Sequence, residues 1–162
     1  MFTPELSDLA AHAAALLQQR GETVAVAEGS AGGLVSATLL SVPGASAYYL
    51  GGAVVYTRQA SIAFMAGAVE APHGMRGATE EFAVYLAESV RLRLGATWGI
   101  GEAGAAGPAN PYGDPAGHGW IAISGPSSAT RHVLTGVDER GSNMFAFTTA
   151  ALALLIDSIE VA

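Results

Sequence analysis

TVAVAEGSAGGLVSATLL, residues 23–40, sets two kinds of hydrophobic spacing on either side of a corner of small residues. Val24 and Val26 belong to a short apolar run that stops at Glu28, whereas Leu34, Ala37 and Leu40 recur at helical intervals. The reading is strand, tight turn, helix. Gly29, Gly32 and Gly33 lack a Cβ, so the backbone can approach a ligand closely, and the free N–H groups of a helix start point at whatever sits there. An anion is the natural guest. The same glycines would equally serve close packing of a helix on a sheet. The spacing fits neither GxGxxG nor GxxxxGK[ST]. Glu28 in the first position also rules out GxSxG, so Ser30 is not an elbow nucleophile.

The 162 residues are 51% hydrophobic, with a mean hydropathy of +0.37. One domain is expected, with burial on both faces of a sheet and apolar surface left for a subunit interface. Fourteen acids stand against seven arginines and no lysine, for a net charge of −7. Nucleic acid and acidic membranes are therefore not expected as partners, because no basic stripe exists to neutralise phosphates. The absence of cysteine excludes disulfides, thiolate chemistry and Cys-ligated zinc. His12, His73, His118 and His132 stand apart without metal-ligand spacing, so neither a metal nor a cofactor is expected. Glu5 and Asp8 occupy the place of a basic leader region, and no run reads as long and apolar enough to cross a membrane. A cytoplasmic protein is the expectation.

Outward from the corner, Thr3 and Pro4 read as cap and first residue of a helix to about Arg20, which Gly21 ends. Gly51 and Gly52 interrupt a strand within 47–56, for which a bulge, a bend or a close backbone approach would each account. A short helix over 57–66, a loop over 68–77 and a helix capped by Thr79 and stopped by Gly95 follow. Residues 97–102 read as a strand entering a second small-residue corner, Ala103-Gly104-Ala105-Ala106-Gly107-Pro108. The loop over 109–117, with Asn110, Tyr112 and Asp114, has the composition of a site wall. A hairpin over 119–124 and 130–135 and a helix over 141–160, apolar round most of its girth, complete the chain. This order describes a three-layer α/β/α sandwich with a mixed sheet, a single domain over 1–162.

The run AEGSAGGLVSATLLSVPGASAYYLGGAVVYT, residues 27–57, resembles the opening of the CinA C-terminal domain family, where AESCTGG, a helix, VPGAS, aromatics, a GG pair and a YSNEAK-type segment follow in that order. AGAAGP at 103–108 resembles the family's [ST]GIAGP, and DPAGHGWIAI at 114–123 resembles its KPVGTVWIA. The likeness covers nearly the whole chain in the same order. It implies a compact α/β sandwich associating as a homodimer or larger homo-oligomer. It also implies hydrolysis of the carboxamide of nicotinamide mononucleotide with release of ammonia. The serine of ESCTGG would be the nucleophile and the lysine of YSNEAK its base, a role open to a desolvated lysine. Positions implied to contact a nucleotide or small anion are Gly29, Ser30, Ala31, Gly32, Gly33, Tyr56, Ala103, Gly104 and Gly107.

The same resemblance places the catalytic serine on Gly29 and the lysine on Ser61, so both halves of the dyad are vacated. Further family polar groups fall on Ala31, Ala103, His118 and Asp114. Arg58 cannot stand in for the base, because a guanidinium stays protonated. Ser30 and His118 form the candidate for a rebuilt pair. Three readings stay open: a degenerate domain that keeps the fold, which the losses favour; an amidohydrolase with relocated groups; and a regulatory subunit of an active paralogue.

Overall fold

The computed structural model describes residues 2–162. Helix α1 (Pro4–Arg20) opens where Thr3 accepts a hydrogen bond from the Leu6 N–H at 3.2 Å, and it ends at Gly21 in the left-handed conformation. Strand β1 (Val24–Glu28) runs parallel to β2 (Tyr49–Val54) on one side and to β3 (Trp98–Ala105) on the other. Antiparallel β4 (His118–Ser124) and β5 (Ala129–Leu134) complete a five-stranded mixed sheet in the order β2-β1-β3-β4-β5.

All five residues of β1 are buried because helices cover both faces. On the side of Val24, Val26, Ile100 and Ile121 lie α1, the short α2 (Leu34–Leu40) and the long α5 (Arg140–Glu160). On the side of Ala25, Ala27, Ala103 and Ala122 lies α4 (Glu80–Leu94), with α3 (Arg58–Met65) beside it. The small residues of β3 follow from this packing: a methyl group on Gly99 or Gly101 would overlap the Ala87 or Ala83 carbonyl of α4. The chain passes from β1 to β2 through α2 on one face and from β2 to β3 through α4 on the other. The connections therefore diverge between β1 and β3, the switch point outside whose carboxyl ends α/β sheets hold ligands.

Two expectations change and one set of alternatives is decided. β3 continues through Ala103, Gly104 and Ala105, because β4 pairs with them as Trp120, Gly119 and His118; the second corner shrinks to 106–108. At Gly51-Gly52 a bulge and a close approach both occur. The register slips by one residue between Val24–Tyr49 and Ala25–Gly51, and a Cβ on Gly52 would sit 2.8 Å from the Val26 carbonyl oxygen. Finally, α5 is long and apolar enough to cross a membrane by length and composition. Its Phe147, Leu152, Leu155 and Ile159 are buried against α1 and the sheet, which accounts for its apolar girth.

Candidate functional site

Glu28, at the carboxyl end of β1, and Glu102, within β3, are direct register partners on one face of the sheet, and neither is exposed. Glu28 turns towards α2, accepting hydrogen bonds from the Val35 and Ser36 N–H groups at 3.0 Å each and from the Ser36 hydroxyl at 2.6 Å. Glu102 turns onto the corner. Its Oε2 accepts from the Gly29 N–H at 3.0 Å and the Ala31 N–H at 2.8 Å, and its Oε1 is bonded to the Ser30 hydroxyl. The Gly29 and Ala31 amides of the corner, and those of Val35 and Ser36 in α2, are thus engaged by the protein's own carboxylates. Burial pushes the Glu102 carboxyl up to about 7; the Ser30 hydroxyl and the Ala31 amide pull it down, and the neighbouring Glu28 adds to the upward push.

This arrangement overturns the pairing of Ser30 with His118. Glu102 shares its face with Gly104, where an added Cβ would lie 2.8 Å from Ser30 Oγ and 3.0 Å from Phe147 of α5. On β4 the Phe147 side belongs to Gly119, so His118 projects to the opposite, α4 face with Trp120. There its Nε2 lies 2.9 Å from the Ala78 carbonyl oxygen and its Nδ1 lies 2.9 Å from His132 Nε2. The sheet separates the two members of the expected pair. It also brings together two histidines that stand apart in sequence.

A cleft of about 700 Å³ opens between the segment after β2, the loop before α4 and α4 itself. Tyr56, Arg58 and Ser61 line it, facing Arg76, Phe82 and Tyr112. Arg76 forks onto Asp114 with bonds of 2.6 and 3.2 Å, which holds the Asp114 carboxyl down at about 2, and the guanidinium lies 5.4 Å from the Tyr112 ring centre. Arg140, at the start of α5, donates to the Gly107 carbonyl at 2.5 Å and to the Tyr56 hydroxyl at 3.0 Å, tying the second corner to the cleft's edge.

Of the sequence-derived positions, Tyr56 and Ser61 share the cleft, and Gly107 joins them through Arg140. Gly29 is buried and does not line the cleft; a Cβ there would lie 3.4 Å from the carbonyl oxygen of Val55, itself a wall residue. Ser30 and Ala31 are buried behind it, Ala103 is buried on the α4 face, and Gly33 caps α2 at φ 100°. Gly32 is exposed beside Met144. Glu102, Arg76 and His132 are site residues that sequence reasoning passed over. Only Glu102 left a signal, an acid inside a strand of otherwise apolar and small residues. Among the described residues, no three histidine or carboxylate side chains gather to hold a metal.

The model of the CinA C-terminal domain matches residues 6–159. A CinA-like protein of Synechocystis is 34% identical over 155 residues, covering 94% of this chain and 37% of that protein. A CinA-like protein of Salinibacter ruber is 39% identical over 140 residues, covering 84% of this chain and 33% of that protein. The chain thus spans about a third of the length of the curated relatives it matches. Among solved structures, the competence/damage inducible protein CihA from Agrobacterium tumefaciens superposes with a TM-score of 0.89 at 24% identity, over 97% of each chain. A CinA superfamily protein from Escherichia coli gives 0.86 at 21% identity, over 96% of this chain and 92% of that one. These two structures share the fold.

Proposed function

The chain belongs to the CinA C-terminal domain family, and from that premise we propose a member that keeps the fold and a ligand-holding cleft but has lost the carboxamide hydrolysis the family resemblance implies. The observation that carries this reading is the pair of vacated positions. Gly29 offers no nucleophile behind the Val55 wall of the cleft, and Ser61 offers no base on the wall itself. Losing both halves of such a dyad removes several orders of magnitude of rate, because the two groups act as a unit. The cleft's chemistry supports retained binding. In a chain of net charge −7, Arg58 lines it together with Tyr56, Phe82, Tyr112 and the Asp114-paired Arg76, one cation among aromatic rings, a set suited to a flat anionic ligand such as a nucleotide. A cytoplasmic homo-oligomer belongs to the same proposal.

One contact favours a second reading. Ser30 is bonded to Glu102, whose raised pKa of about 7 would suit a general base in an amidohydrolase with relocated groups. Against it, Ser30 is only 5% exposed, Glu102 is fully buried, and neither lines the cleft. Ammonia release from nicotinamide mononucleotide separates the two. No release above background is expected from the unaltered protein, and robust release abolished by Ser30→Ala would install the second reading.

A further inference from the structure

The antiparallel register of β4 and β5 places His118 and His132 edge to edge, and we propose that this imidazole pair binds a borderline divalent cation, Zn²⁺ in particular, with water completing the coordination. His118 Nε2 lies 2.9 Å from the Ala78 carbonyl oxygen, which can only accept, so the ring carries its proton on Nε2 and presents the Nδ1 lone pair to His132. A ring anchored through one nitrogen by a backbone carbonyl, with the other nitrogen free to donate, is how proteins orient a metal-binding histidine. Asp114 Oδ1 also lies 3.9 Å from the same Nε2, but Arg76 already engages that carboxylate, so the Ala78 carbonyl is the anchor of the ring. Trp120 packs on the His132 ring at 4.8 Å between centres and narrows its range of orientations.

The dimensions fit a small adjustment. The two facing nitrogens are 2.9 Å apart. A tetrahedral cation about 2.0–2.1 Å from each would set them roughly 3.3–3.4 Å apart. His132 is exposed, so rotation of its side chain supplies the difference without moving the backbone. Its proton then resides on Nδ1, leaving the Nε2 lone pair for the metal. With two protein ligands and, among the described residues, no third gathered with them, the site is open and exchangeable. It lies on the α4 face of β4 and β5, outside the cleft, and its occupancy does not depend on whether the domain hydrolyses anything.

The test is calorimetric titration of the whole chain with Zn²⁺ in a non-chelating buffer, alongside nitrogen NMR of the imidazoles. Saturable uptake of one ion per chain with micromolar affinity is expected, with resonance changes at His118 Nδ1 and His132 Nε2. His132→Asn, at an exposed position, should weaken uptake by about tenfold or more while leaving the melting temperature of the metal-free protein unchanged. His12→Asn and His73→Asn should leave uptake intact, His12 being the partner of Glu160 at 3.6 Å on a distant surface. The proposal is overturned by uptake only at millimolar Zn²⁺, by uptake indifferent to His132→Asn, or by uptake that follows His12 or His73. In each of those cases the two rings simply share a hydrogen bond.

Discussion

Glu28 and Glu102 sit side by side on parallel strands, both fully buried, and divide one corner of the backbone between them. Glu28 satisfies two amides of the first turn of α2, and Glu102 satisfies the amides of Gly29 and Ala31. Burial disfavours the charged form of Glu102, the neighbouring Glu28 adds to that push, and Glu102 holds its proton more tightly as a result.

Stability should therefore fall as pH rises through the neutral range. Glu102 titrates at about 7 in the native state, against 4.5 as its ordinary value. Between those values the folded chain keeps a proton that the unfolded chain has released, so raising the pH favours unfolding; below 4.5 the stabilisation is complete, and it is lost as pH passes 7. The shift corresponds to roughly 3 kcal/mol. Glu102→Gln mimics the protonated acid, accepting from Gly29 and Ala31 while donating to Ser30. Urea denaturation at pH 5 and pH 8 should show a much smaller loss for Glu102→Gln than for the unaltered chain; equal losses would refute this.

Restoring the dyad should require both groups. Gly29→Ser has room, since the nearest atoms to an added Cβ are carbonyl oxygens at 3.4 and 3.5 Å. Alone it lacks a base, and Ser61→Lys alone lacks a nucleophile, so each single variant should release no ammonia from nicotinamide mononucleotide. The double variant should release it detectably, because the two groups act together. Recovery should be partial: Ala31 and Ala103 supply no side-chain polar contact, and each missing contact costs roughly 2–4 kcal/mol. Activity in either single variant equal to that of the double would contradict the assignment.

A bound anion should choose the arginines over the corner. The Gly29 and Ala31 amides are already engaged, whereas Arg58 lines an open cleft beside Arg76, whose charge Asp114 already balances. Nicotinamide mononucleotide titrated at low salt should bind with roughly millimolar affinity, about 4 kcal/mol. Amide resonances over 56–62 and 74–77 should move more than those over 29–33, and Arg58→Ala should reduce the effect. Shifts confined to 29–33 would place the anion at the corner after all.

Exposed apolar side chains point to self-association. Leu50 and Val54 on edge strand β2, with Ile62 and Phe64 on α3, are each more than 40% exposed. Apolar surface of this kind, beside an unpaired strand edge, favours burial against a second copy. Light scattering at micromolar concentration should give at least twice the 16.3 kDa of one chain. A mass near 16.3 kDa would rule the oligomer out.

Local chemistry made most of the architecture readable. Thr3, Thr79, Gly21 and Gly95 mark helix ends because a cap satisfies amides and carbonyls within a few residues of itself. The change from strand to helical spacing across residues 23–40 likewise needs only neighbours, and the order of elements then limits the fold to a layered α/β sandwich. The positions of Gly29 and Ser61 in the family pattern are legible for the same reason.

What tertiary structure alone decided is who faces whom across the sheet. Ser30 and His118 are both polar and both near a corner, yet the turn after β1 sets Ser30 on Glu102 while the pleat of β4 sends His118 to the opposite face. Glu102 reaches Ser30 across 72 positions, and His132 reaches His118 across 14. Such meetings depend on strand order, register and the side that each crossover takes, which are collective outcomes of burying both faces at once. The sequence by itself determined the elements and the loss of the family's polar groups. Only packing determined that Glu102 closes the corner and that two imidazoles share an edge.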